Sequence, residues 1–225
     1  MRKPVLTAKE AVADVADGAV LLAGGFAGAG YPMLLFEALA NKGVRGLTLV
    51  CLNGGQGEVG AARLVRDGAV DTLVCSYPLG PADHVVREAV ESGRMRMELV
   101  PQGTLAEAIR AGGAGLGGAL TRTGLGTRFA EGRDVVTVRG VDYLLEPAIR
   151  GDVAFVRAHE ADPWGNLHYR HAQQNFNPFM ATAAKVTIAH VDRVVDDGFE
   201  PASVHTPGVF VQRIVVEGGA DGHPA

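Results

Sequence analysis

Val20-Leu-Leu-Ala-Gly24-Gly25-Phe26-Ala-Gly28-Ala-Gly30-Tyr31-Pro32 decides the fold of this 225-residue chain. The apolar run from Ala19 to Ala23 reads as a buried strand, the glycines as a turn, and Met33 to Lys42 as a helix stopped by Gly43. Glycine tolerates positive φ and lets backbone approach a ligand, and a helix N-terminus points unpaired N–H groups outward. The stretch is therefore a candidate cradle for an anionic or partly anionic oxygen. Two nucleotide motifs do not fit it. Gly24, Gly25, Gly28 and Gly30 are out of register with Gly-x-Gly-x-x-Gly, and no Gly-Lys-Ser/Thr closes the loop.

The same strand–turn–helix rhythm repeats outward from this stretch. Before it, Thr7-Ala-Lys-Glu10 has the form of a capping box opening a helix to about Ala16. After it come a strand at Leu47–Cys51, the glycine loop Asn53-Gly-Gly-Gln-Gly57, a helix from Val59 to Arg66 and a strand from Ala69 to Cys75. A helix from Ala82 to Glu91, a strand from Met97 to Val100, and a helix from Leu105 to Ala111 with Thr104 as N-cap continue the series. Alternation at this spacing predicts an α/β fold: an open, mostly parallel sheet with helices on both faces. Residues 112–132 are glycine-dense and read as an irregular loop pair. A small β excursion follows, with a hairpin of Val135–Val138 and Tyr143–Leu145 around Arg139-Gly140. Further strands are expected at Asp152–Arg157, Lys185–Val191 and Val209–Val216. One domain over residues 1–217 and a disordered tail over 218–225 are the expected organisation.

Composition narrows the function. A formal net charge of −4 and 6% aromatic residues oppose a nucleic-acid binder, which needs a basic footprint and stacking platforms. No apolar run is long enough to span a bilayer, and the residues before Thr7 carry no apolar signal region, so a cytoplasmic setting is expected. Cys51 and Cys75 end apolar runs and read as small core residues. Loops after successive parallel strands emerge at one edge, so the loops at Gly24, Asn53 and Gly112 are expected to build a common site from backbone amides. No convincing nucleophile accompanies it. There is no Gly-x-Ser-x-Gly elbow, His168 and His171 lack neighbouring metal ligands, and Glu58 reads as a solvated loop acid.

The motifs explain that mismatch through a resemblance. Gly24-Gly25-Phe26-x-Gly28-x-Gly30-x-Pro32, Pro101-Gln102-Gly103-Thr104-Leu105-Ala106-Glu107 and Thr123-Gly124-x-Gly126-Thr127 occur in order. Asn175-Phe176-Asn177-Pro178 running to Lys185, and His205-Thr-Pro-Gly208, complete the set. Together they resemble the A (α) subunits of family I CoA-transferases of the 3-oxoacid type, over essentially the whole chain. The resemblance implies a CoA-transferase B subunit as partner, in an A2B2 or larger heteromer. It also implies acyl-CoA and carboxylic acid substrates, with no bound cofactor or metal. CoA would move from an acyl-CoA such as succinyl-CoA or acetyl-CoA to a short-chain or 3-oxo acid by a ping-pong route. The nucleophilic glutamate of that route sits in a Ser-Glu-x-Gly motif of the B subunit, which is absent from this sequence.

Carried over by position, the oxyanion- and substrate-binding candidates are Gly24, Gly25, Phe26, Gly28, Gly30, Asn53 and Gln102, with Arg122 and Gly124 as further candidates. Gln102 matches a glutamine that meets the substrate carboxylate, and Asn177-Pro178 reads as a turn and helix start. The chain departs from the family pattern at Ala29, Met33-Leu34, Leu52, Arg122 and Pro78-Leu-Gly-Pro81. Those departures keep two alternatives open: one half of a two-component acyl-CoA hydrolase, and a non-catalytic acyl-CoA-binding subunit.

Overall fold

A computed structural model describes residues 1–55, 57–77 and 84–218. Gln56, the Pro78–Pro81 departure, the first turn expected for the helix at Ala82, and the tail after Gly218 lie outside the described residues.

The chain opens with the short helix α1 (Ala8–Ala11), capped reciprocally by Thr7 and Glu10. It then alternates β1 (Val20–Ala23), α2 (Met33–Lys42), β2 (Leu47–Val50), α3 (Ala61–Arg66), β3 (Val70–Cys75), α4 (His84–Glu91), β4 (Arg96–Leu99) and α5 (Gln102–Gly113). A three-stranded antiparallel excursion follows: β5 (Gly118–Thr121), β6 (Val135–Val138) and β7 (Val141–Pro147), in the order β5-β7-β6. The chain returns through β8 (Gly151–Arg157), the two-residue strands β9 (Glu160–Ala161) and β10 (Leu167–His168), α6 (Asn177–Thr182), β11 (Ala184–Val191), β12 (Arg193–Val194) and β13 (Arg213–Val216). The main sheet has seven parallel strands in the order β13-β11-β8-β1-β2-β3-β4.

That order carries the functional consequence. The chain first winds outward from β1 to β4, then returns to the other side of β1 as β8. The direction of winding therefore reverses between β1 and β8, and in open α/β sheets ligands bind in the crevice beyond the strand C-termini at such a reversal. Both faces of the sheet are covered. Leu21, Leu49 and Leu73 pack with Phe36 and Leu39 of α2, Leu64 of α3 and Val86 of α4. Leu22, Val50 and Val74 pack on the opposite face with Leu105 and Ile109 of α5 and Met180 of α6. Burial on both faces is why these strands read as unbroken apolar runs.

Four expectations are corrected. The first helix ends at Ala11 rather than Ala16, closing in tight turns from Ala13 to Glu10 and from Val15 to Val12. The helix expected at Val59 starts at Ala61, because Gly60 has φ +61° and cannot be a helical residue. The last strand is confined to Arg213–Val216, since Gly208–Phe210 forms a 3-10 turn. α5 begins at Gln102, with Pro101 in the N-cap position, so Thr104 is not a cap. It lies inside the first turn, 4% exposed, and its hydroxyl has no hydrogen-bond partner.

The glycine-dense segment 112–132 also departs from its reading. Gly112 and Gly113 end α5, and Gly118 opens β5. A Cβ on Gly112 would lie 1.9 Å from the Ile149 carbonyl, one on Gly113 2.3 Å from Thr182 Oγ1, and one on Gly118 2.5 Å from the Glu146 carbonyl. These glycines serve close packing. Gly112 and Gly113 also sit beside Gly151 and Ala184, the first residues of β8 and β11, at the opposite edge of the sheet from Gly24. A helix following a strand carries the chain back to the starting edge, so only two of the three glycine loops share an edge.

Candidate functional site at the strand reversal

The loop after β1 is a miniature hairpin. Phe26 N–H donates to Ala29 O at 2.9 Å and Ala29 N–H returns to Phe26 O at 2.8 Å, with Ala27 and Gly28 between them at φ +47° and +87°. Positive φ at both central residues is the signature of a type I′ turn, which Gly28 accepts freely and Ala27 does not. Gly24 N–H is spent on Phe155 O of β8 at 3.0 Å, and Gly25 N–H on Asn175 Oδ1 at 3.2 Å. The amides of Ala27, Gly28 and Gly30 have no partner among the described residues. The donors left for a ligand are therefore at the tip and far side of the loop, and those of Gly24, Gly25 and Phe26 are not among them.

Gly28 and Gly30 line a cavity of about 380 Å³ together with Met33, Gly55, Arg157 and Gln173, with Tyr31, Val59, Gly60 and Ala61 completing the wall. It lies where the sheet order places it, between the β1 loop and the end of β8. Asn53 does not line it. Its Oδ1 instead accepts from Tyr31 Oη at 3.1 Å and from Gly55 N–H at 3.2 Å, tying the second glycine loop to the first. Phe26 does not line the cavity either and is 44% exposed. Leu52, where the family places a polar residue, is buried in the core and lends its carbonyl to Ser76 and Tyr77.

Three sequence candidates fall elsewhere. Gln102, exposed at the first turn of α5, shares the edge of the cavity but follows β4, three strands from β1, about 14 Å at ordinary strand spacing. Arg122 and Gly124 lie in the turn after β5, where Gly124 packs against Phe129. Conversely, Arg157 and Gln173 carry no mark of a site residue in the sequence, and Asn175 is marked only as the first residue of the Asn175–Pro178 motif, without a site role. They follow the loop by roughly 130 to 150 positions, and no local spacing connects them to it.

Arg157 closes the cavity on the β8 side with a guanidinium that is already engaged. It donates to Ala158 O at 2.7 Å, pairs with Asp192, and lies 3.3 Å from Glu217 Oε2. Burial raises the Asp192 carboxyl, but hydrogen bonds from His159 (2.6 Å) and Arg157 outweigh it and hold the group below the usual range. Behind them His190 is buried, and desolvation together with the Arg157 charge pushes its pKa down to about 4. This network is charge-compensated. It supplies a wall, and no group in it is set up as a nucleophile.

The other reactive candidates are likewise occupied. Cys51 donates to Asn53 O at 2.6 Å, and burial, then the neighbouring Cys75, push its thiol well above the usual range, the opposite of a reactive thiolate. Glu58 is an exposed loop acid paired with Arg66 at 3.2 Å. His168 stacks on His205 at 4.6 Å and donates to Ser203 O, while His171 is exposed. No cluster of metal-ligating side chains occurs among the described residues. Asn177 opens α6, as its sequence suggests, and is fully buried.

At the reversal point of this parallel α/β sheet, unspent backbone amides adjoin a cavity whose described lining holds no carboxylate, thiol or serine. The chain belongs to the coenzyme A transferase family, whose model matches residues 5–217. It is 44% identical over 211 residues to the A subunit of the 3-oxoadipate CoA-transferase of Pseudomonas putida, covering 93% of this chain and 91% of that protein. It is 41% identical over 217 residues to the alpha subunit of the acetate CoA-transferase of Escherichia coli, covering 96% and 98%. Among solved structures, the acyl-CoA transferase YdiF of E. coli O157:H7, a thioester complex with CoA, superposes with a TM-score of 0.84 at 26% identity. That match covers all of this chain and 50% of the YdiF chain, so the chain spans about half that protein's length.

Proposed function

We infer that this chain is the A subunit of a two-component CoA-transferase, completed by a B subunit that brings the nucleophile. The carrying observation is the cavity at the β1/β8 reversal. Gly28 and Gly30, whose amides are free, line a space whose described lining holds no carboxylate, thiol or serine, and the free amide of Ala27 adjoins Gly28 in the turn. A thioester carbonyl becomes anionic when a carboxylate attacks it, and fixed N–H donors aimed at that oxygen are each worth roughly 10²–10³ in rate.

The partner's glutamate attacks the acyl-CoA carbonyl, and CoA leaves as a thiolate to give an acyl–glutamyl anhydride. The thiolate then attacks the glutamyl carbonyl, releasing the first acid and leaving CoA on the glutamate. The second acid reverses the sequence and departs as the new acyl-CoA. Exposed Phe26, Val59 and Tyr77, following β1, β2 and β3, supply apolar surface on the edge where the partner must reach. An A2B2 assembly and succinyl-CoA with a 3-oxo acid are the stoichiometry and substrates proposed. Gln102, on the same edge, is proposed to meet an acid carboxylate toward the β4 side.

The test is co-expression with the B subunit, supplied with succinyl-CoA and either 3-oxoadipate or acetoacetate. Transfer by the pair, silence of either chain alone, and a hydroxylamine-sensitive glutamyl thioester on the partner are expected. Transfer by this chain alone, or CoA release that needs no acid acceptor, would overturn the reading. The second outcome would make it part of a hydrolase.

A further inference from the structure

The glycine loop does not hold its own shape. It carries Ala27 in the left-handed region, and its short hairpin leaves Gly25 N–H and Gly30 O to be satisfied from outside, while Ala29 O, which already accepts from Phe26 N–H, has a second lone pair to offer. Two asparagine side chains from the start of α6 do this. Asn175 Oδ1 accepts from Gly25 N–H at 3.2 Å while its Nδ2 donates to Ala29 O at 3.2 Å, bracketing the turn at both ends. Asn177, fully buried, donates from Nδ2 to Gly30 O at 3.1 Å and to Gln173 O at 2.8 Å. Its Oδ1 accepts from the backbone N–H of Arg157 at 2.9 Å. One carboxamide thus joins the loop after β1 to the end of β8, across the strand reversal and beside the cavity.

The glycines complete this arrangement. A Cβ on Gly24 would lie 1.8 Å from Asn177 Oδ1, and one on Gly30 would lie 2.7 Å from Asn177 Nδ2 and 3.0 Å from Asn175 Nδ2. Gly24 has no positive φ, so its backbone alone does not require glycine. Its missing side chain makes room for the asparagine.

We propose that Asn175 and Asn177 are positioning residues: a two-point clamp that fixes where the Ala27, Gly28 and Gly30 N–H groups aim. The clamp's catalytic consequence rests on the reading that those amides receive the thioester oxygen. Donors stabilise a developing charge only when they are already in place, so a loosened loop loses rate at the chemical step before it loses substrate affinity. Asn177→Asp sets an oxygen against the Gly30 and Gln173 carbonyls while keeping the acceptor for Arg157. Asn175→Ala releases both ends of the turn, and Asn175→Asp restores only the acceptor for Gly25.

The experiment measures kcat and KM for the A/B complex with succinyl-CoA and acetoacetate or 3-oxoadipate, together with amide hydrogen exchange across residues 20–31. For Asn177→Asp and Asn175→Ala the expected result is a kcat loss of roughly 10²-fold with KM for succinyl-CoA within about threefold. Exchange at Gly25 and Ala29 should accelerate while amides within β1 stay protected. Asn175→Asp should recover part of the lost kcat and slow exchange at Gly25 relative to Asn175→Ala. A purely structural role would lower thermal stability and leave kcat per assembled complex unchanged, and that result overturns the proposal. If the parent complex transfers no CoA, the functional reading fails, and the exchange measurement alone decides the clamp: unaltered exchange at Gly25 and Ala29 in both single variants refutes it.

Discussion

Gly24→Ala is the smallest change that tests the packing at the strand reversal. The added methyl would sit 1.8 Å from Asn177 Oδ1 and 2.4 Å from its Cγ, closer than any real contact, so the carboxamide has to leave. Three hydrogen bonds depend on its place: from the Arg157 N–H, to Gly30 O and to Gln173 O. Each buried group left unpaired costs about 1–3 kcal/mol, so with partial relaxation the total is roughly 3–6 kcal/mol. At about 2–4 °C per kcal/mol for a chain of this size, the melting temperature should fall by roughly 10–20 °C. Gly28→Ala is the matched control. It has φ +87° but no atom within 4 Å of the new methyl, so it bears only left-handed backbone strain, about 1–2 kcal/mol. Urea and thermal unfolding of the A/B complex, followed by circular dichroism, measure both variants. A Gly24→Ala loss no greater than that of Gly28→Ala would refute the steric argument.

Three further outcomes follow from the same geometry. Thr104→Val replaces a buried hydroxyl that has no partner by a methyl of similar shape, and should raise stability by about 1 kcal/mol in urea unfolding; a loss would mean the hydroxyl is satisfied in solution. His190 has a native pKa of about 4 against 6.5 when unfolded, so it is neutral when folded and charges preferentially on unfolding. Its contribution is complete above pH 6.5 and is lost as the pH falls toward 4, by roughly 3 kcal/mol in all. Comparing unfolding midpoints at several pH values should show a shallower acid dependence for His190→Gln, and an equal slope would exclude the histidine as its source. Ala27→Gly relieves a left-handed alanine and should stabilise the loop by about 0.5–1 kcal/mol, visible as a higher melting temperature.

Much of the scaffold was legible along the chain because it depends on local chemistry. Met33 to Lys42 ends at Gly43 with φ +79°, as a left-handed cap requires, and the hairpin around Arg139-Gly140 forms where its turn residues place it. Thr104 misled because Pro101, three positions earlier, already starts the helix and leaves the threonine inside its first turn. The glycines at 112, 113 and 118 misled for a different reason. Glycine density marks close approach of backbone, and sequence cannot say whether what approaches is a ligand or, as here, the Ile149 carbonyl, the Thr182 side chain and the Glu146 carbonyl.

The site divides along the same line. Sequence alone determined the parallel α/β architecture and the glycine turn after the first strand, because periodicity and glycine placement are properties of short segments. Tertiary structure alone decided which amides remain free and what holds them. Asn175, Asn177 and Arg157 meet the Gly24–Gly30 loop because β8 is inserted beside β1 in the sheet, a pairing between residues as far apart as Leu21 and Val153 that no local pattern encodes.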